Sequence, residues 1–161
     1  MSTSEVVCYL AAWGIIGSAL FSLFVIFVFR TGVVYNARDE DGLLKEKIPS
    51  HGYLASIGFL VLIVFFLVTA NYFGLIQKGF RLSFGGLYAL NLVLYLILFL
   101  FDTIVIDGLV LGYWRPGFLK LPQAMGWDSM RKHMRKSIPA GAFFGLIITL
   151  VSTVLTYYFI I

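Results

Sequence analysis

Apolar runs long enough to cross a bilayer take up most of this chain: Val6 to Phe29, Tyr53 to Ile76, Leu82 to Trp114 and Pro139 to Ile161. A helix rises about 1.5 Å per residue, so each run reaches across a hydrocarbon core roughly 30 Å thick. A water-soluble core helix would be shorter and would carry a polar stripe, which these runs lack. Only 12% of the 161 residues are charged and 60% are hydrophobic, whereas soluble domains carry about 25% charged residues. The expected fold is therefore all-α: an integral membrane antiparallel four-helix bundle in a single domain, with helices over about 6–29, 53–76, 83–113 and 139–161.

Orientation follows from the bases. Of the 12 Lys and Arg residues, Arg30, Arg38, Lys45 and Lys47 follow the first run. Arg115, Lys120, Arg131, Lys132, Arg135 and Lys136 follow the third, leaving only Lys78 and Arg81 for the other side. The positive-inside rule then places both longer loops in the cytoplasm and both termini outside, in a multi-pass protein of the cell membrane. Met1 to Val7 holds Glu5 and no base, so the first run reads as a retained helix. Cleavage as a signal peptide is the competing reading, since Ala11, Ala12, Ser18 and Ala19 supply small residues. The lone Cys8 has no internal disulfide partner.

In the second long loop Trp114, Arg115, Pro116 and Gly117 break the third helix. Asp128 can then cap a helix through Ser129 to Lys136. Met130 and Met134 share one side of it, while Arg131, Lys132, Arg135 and Lys136 fill the rest. This pattern predicts a short interfacial amphipathic helix between helices 3 and 4, with anionic lipid head groups as partners of the bases. The first loop holds Arg38, Asp39, Glu40, Asp41 and Gly42, a solvated turn that lacks the full ligand pattern of a calcium loop. Leu43 to Ile48 suggests a second short interfacial helix. No nucleic-acid-binding fold is present, and no motif implies a metal or cofactor.

Small residues recur at helical spacing in the first run (Gly14, Ser18, Ser22, with Gly17 adjacent) and in the fourth (Gly141, Gly145, Thr149, Thr153, with Ser152 and Thr156). Such rows let helices approach closely in lipid, within one chain or in a homo-oligomer or larger membrane complex.

Candidate functional residues follow from the cost of charge in lipid. A carboxylate within a spanning segment costs several kcal/mol (of order 2.5–3.5 at the centre) unless it faces protein, water or a counter-charge. Asp102 and Asp107 are the only charged side chains in the four runs, which makes them the leading candidates for a ligand or ion site. Asn91, Tyr95 and Asp102 share one face of an α-helix. Asp107 lies about 140° round from Asp102 and faces elsewhere unless the helix unwinds, which Gly108 and Gly112 would permit. The topology also brings Arg30, His51, Arg115 and His133 to the cytoplasmic end. No hydrolase elbow, P-loop or HExxH pattern occurs.

The stretch Phe101, Asp102, Thr103, Ile104, Val105, Ile106 and Asp107, with Pro116 and Pro122 downstream, resembles a pattern in small uncharacterised bacterial four-helix integral membrane proteins. That resemblance implies an inner-membrane protein and no particular activity. The chain also looks like the size class of the membrane-associated eicosanoid and glutathione enzymes, but their polar helix motif has no residue-by-residue match here. The expected function is that of a small non-enzymatic membrane protein, an accessory subunit or an ion- or ligand-handling bundle organised around the two aspartates. A membrane-embedded enzyme acting on a lipophilic substrate is the alternative, and sparse polar residues weigh against a channel.

Overall fold

The computed structural model describes residues 1–31, 50–119, 121 and 126–160, with only the backbone given at 50–52 and 55. The expectations for Arg38 to Asp41 and for Leu43 to Ile48 lie outside these residues. Among the described residues every regular element is helical: α1 (Thr3–Arg30), α2 (Ser50–Asn71), α3 (Phe84–Leu100), the 3₁₀ turn Gly117–Leu119 and α4 (Trp127–Phe159). Two of them run on in π-helical geometry, α2 through Tyr72–Ile76 and α3 through Phe101–Trp114. Among the described residues four helices are long and apolar enough to cross a membrane: Thr3–Arg30, Ser56–Ile76, Phe84–Trp114 and Trp127–Phe159.

Local chemistry fixes the ends. Ser2 caps α1, accepting from the Glu5 amide while the Glu5 carboxylate accepts from the Ser2 amide, a reciprocal capping box. Ser83 caps α3 by accepting from the Gly86 amide, so the helix begins at Phe84. Between α2 and α3 the chain turns through Gly79, at φ 76°, a conformation natural to glycine. The π-helical end of α3 stops at Arg115, at φ 50°, and Pro116 cannot donate to continue it.

The fourth helix departs from the expected pattern. A separate amphipathic helix ending before Pro139 was expected, yet Trp127–Phe159 is one continuous helix with Pro139 in its interior and Gly126, not Asp128, at its N-cap. Proline removes one hydrogen bond to the carbonyl four residues earlier. Here that loss falls on a turn whose flanking residues Lys136, Ile138 and Pro139 are exposed, so the remaining bonds and the packing on either side carry the helix through.

Two clusters of buried side chains define the interior. One gathers Tyr9, Phe66, Leu67, Leu75, Leu87, Leu94 and Ile148, and so joins all four helices. The other joins Phe29 at the end of α1 to Ile106, Leu111, Leu119 and Met130. Small residues set the approach between helices: a Cβ at Gly17 would come 2.7 Å from Leu98 and Phe66, and the Tyr95 ring lies directly over Gly145. Both small-residue rows thus serve contacts within the chain, the α4 row against α3 and the α1 row, at Gly14 and Gly17, against α3 and α2. Large apolar side chains such as Ile15, Leu23, Phe27, Phe65 and Phe143 point outward and are exposed.

Candidate functional site

Among the described residues, two separate groups of polar side chains stand out in the interior. In the first, the Tyr9 hydroxyl donates to Asn71 Oδ1 at 3.1 Å, and Asn71 Nδ2 donates to Thr156 Oγ1 at 3.0 Å. Asn91 Nδ2 donates to Thr153 Oγ1 at 2.9 Å. Thr153 and Thr156 pass their own protons to the carbonyls of Thr149 and Ser152, which leaves their lone pairs for the two asparagines. Asn71, Asn91, Thr153 and Thr156 are all fully buried. This layer ties α1, α2 and α3 to α4, and with no carboxyl, imidazole, Lys or Arg in it, it reads as structural glue. Asn91 therefore stands apart from the aspartates, although its spacing with Tyr95 and Asp102 suggested one shared site.

The second group lines a cavity of about 320 Å³. Each helix supplies part of the wall: Phe21, Phe24, Val25 and Phe29 from α1; Phe59 and Ile63 from α2; Tyr95, Leu98, Phe99, Asp102 and Asp107 from α3 and its π-helical extension; His133, Ser137 and Gly141 from α4. His133, Ser137 and Gly141 follow each other at four-residue steps, so an α-helix turns all three the same way. Arg131, Lys132, Arg135 and Lys136, between and beside them, are exposed.

The π geometry puts both acids on this wall. An α-helix would carry Asp107 round to another face, but i→i+5 bonding, seen where the Arg115 amide donates to the Val110 carbonyl at 2.8 Å, sets residues five apart nearly one above the other. The unwinding that Gly108 and Gly112 would permit takes the form of a widened helix and not a break. Gly112 also gives room to the Trp127 ring, which an added Cβ would meet at 3.0 Å.

The two acids differ in their surroundings. His133 Nε2 lies 3.7 Å from Asp107 Oδ2, and Asp107 is buried. Asp102 is half-buried and, among the described residues, makes no hydrogen bond or ion pair. Near it the Tyr95 hydroxyl donates to the Gly141 carbonyl at 2.7 Å, and the Tyr95 and Phe99 rings stack with centroids 6.0 Å apart. On the opposite wall Phe59 meets Phe21 edge-on at 5.2 Å and Phe24 in a stacked arrangement at 5.7 Å.

Two further candidates lie elsewhere: Arg30 ends α1 and is exposed, and Arg115 is exposed beyond the cavity. The side chain of His51, in the first turn of α2, lies outside those described. Among the described residues no three His, Cys, Asp or Glu side chains come together to hold a metal ion. His133 and Ser137 are the wall residues that sequence reasoning underused. Their signal was present, because they sit on the side of the Met130 to Ser137 stretch that carries no Lys or Arg.

No protein-family model matches the chain, no curated protein matches it, and no solved structure matches it.

Proposed function

We propose that the four helices span the membrane as an antiparallel bundle with both termini outside, and that the bundle binds a small lipophilic ligand in the cavity beside Asp102 and Asp107. The observation that carries this reading is the cavity itself. About 320 Å³ falls at the lower end of the roughly 300–1,000 Å³ typical of small-molecule sites, and mostly apolar walls with a few convergent polar groups are what such sites share.

The interior cluster also supports the bundle, since Tyr9 near the start of α1, Leu75 beyond the end of α2 and Leu87 near the start of α3 are buried together. Phe84 at the start of α3 meets Tyr157 at the end of α4, ring centroids 5.6 Å apart. At about 1.5 Å per residue Asp102 lies roughly 27 Å along the helix from Phe84. With both termini outside and Phe84 at the outer boundary of a bilayer about 30 Å thick, this length supports a cavity near the cytoplasmic boundary, within reach of a ligand arriving from lipid or water.

The test is ligand binding to the whole chain in phosphatidylcholine nanodiscs. Small aromatic probes of differing charge are added during thermal unfolding, with Val25→Trp as the variant that fills the cavity. At least one probe is expected to raise the unfolding temperature of the wild type and not of the variant, as a ligand that binds only the folded state must. No shift from any probe would remove the reading.

The contact between His133 and Asp107 favours one second reading, an enzyme acting on a lipophilic substrate with the imidazole as acid/base and the carboxylate orienting it. Chemical conversion of a bound compound, lost in His133→Gln, would mark that case.

A further inference from the structure

We propose that the cavity selects hydrophobic monocations: small molecules with one positive charge on an apolar body, such as a quaternary ammonium bearing a phenyl group. This deepens, and rests on, the reading of the cavity as a ligand site.

The charge balance of the wall comes first. Among the described residues two carboxyls and one imidazole line the cavity, and no Lys or Arg does. The four bases nearest in sequence, Arg131, Lys132, Arg135 and Lys136, are exposed. His133 stands against Asp107, whereas Asp102 meets no cationic partner among the described residues. One acid is thus left facing a largely apolar space. A carboxylate in such a setting is stabilised by a single opposite charge far more than it would be in water, and a second positive charge would find no equivalent partner.

The walls point the same way. Aromatic rings carry negative faces and attract cations, most strongly where water is excluded. Here rings approach from two sides, Phe21, Phe24 and Phe59 from α1 and α2 and the Tyr95 and Phe99 stack from α3. An anion would meet both the rings and the acids unfavourably. A neutral molecule of the same shape would gain the apolar burial and nothing from the charge. The volume, about 320 Å³, admits a ring with a trimethylammonium group and leaves no room for a two-chain phospholipid.

Three probes of nearly equal size separate these cases: phenyltrimethylammonium, its uncharged carbon isostere tert-butylbenzene, and benzenesulfonate. Binding is measured by equilibrium dialysis against the full chain in phosphatidylcholine nanodiscs, with the signal from empty nanodiscs subtracted. The cation is expected to saturate at one site at least about tenfold tighter than the neutral isostere, with no saturable binding of the sulfonate. Asp102→Asn should weaken the cation at least about tenfold and leave the isostere unchanged. Phe24→Leu, which keeps an apolar wall and removes a ring, should weaken the cation several-fold, and stands as a test should the first variant not fold. Equal affinity for cation and isostere, tighter sulfonate binding, or a cation affinity indifferent to both substitutions would overturn the charge assignment while leaving a ligand site in place. Failure of all three probes to saturate the wild type would overturn the ligand site as well.

Discussion

His133 Nε2 faces Asp107 Oδ2 at 3.7 Å, with the two side chains 22% and 11% exposed, so this contact joins the basic end of α4 to the π-helical end of α3. Removing the imidazole takes one contact from a largely buried carboxyl, and breaking a buried pair by removing one member is costlier than never having had it. His133→Leu should therefore destabilise the fold by roughly 1–3 kcal/mol, and adding Asp107→Asn should recover part of the loss. A double-mutant cycle of reversible unfolding in mixed micelles checks this, and additive losses would dissociate the two residues energetically.

The two buried asparagines should behave in opposite ways. Asn71 serves two partners, so Asn71→Leu strands the Tyr9 hydroxyl and should cost about 1–2 kcal/mol. Asn91 Oδ1 has no hydrogen-bond partner among the described residues, so Asn91→Leu removes an unsatisfied acceptor together with a single bond and should be close to neutral. The same unfolding measurement ranks them.

Close packing at Gly145 makes a sharp contrast with Gly85. A methyl group on Gly145 runs into the Tyr95 ring, while one on Gly85 meets nothing within 4 Å. Gly145→Ala should cost about 1–3 kcal/mol through overpacking. Gly85→Ala should stabilise α3 by several tenths up to about 1 kcal/mol through helix propensity.

The exposed bases of α4 should choose lipids. Changing Arg131, Lys132, Arg135 and Lys136 to Gln is expected to lower the preference for phosphatidylglycerol over phosphatidylcholine by about 1 kcal/mol for each charge removed. Native mass spectrometry of lipid adducts reads this directly, and an unchanged adduct ratio would deny these residues a role at the lipid surface.

The spans were legible because lipid imposes a length and a composition that no other solvent does, and helices expected at 6–29 and 83–113 correspond to Thr3–Arg30 and Phe84–Trp114. Ends and joins were less legible. Pro139 and the amphipathic stretch before it suggest a break, yet a single missing hydrogen bond at an exposed turn does not outweigh the packing of Met130 below and Gly145 above. Asp102 and Asp107 stood out by charge alone. Their shared direction was hidden because any argument from spacing assumes 3.6 residues per turn, and nothing in Phe101 to Trp114 announces a wider helix. The link from Tyr9 through Asn71 to Thr156 depends on three distant positions meeting, which periodicity along one segment does not report.

The π-helical stretch also makes the cavity sensitive to counting. A run wound at ordinary pitch would send its two acids off in different directions with no change in composition, so the spot holding both carboxyls exists only while the coil stays wide. Deleting one residue near Gly108, where the coil could tighten by a single step, would swing Asp107 away from His133 and disassemble the pocket without altering the identity of any side chain in it.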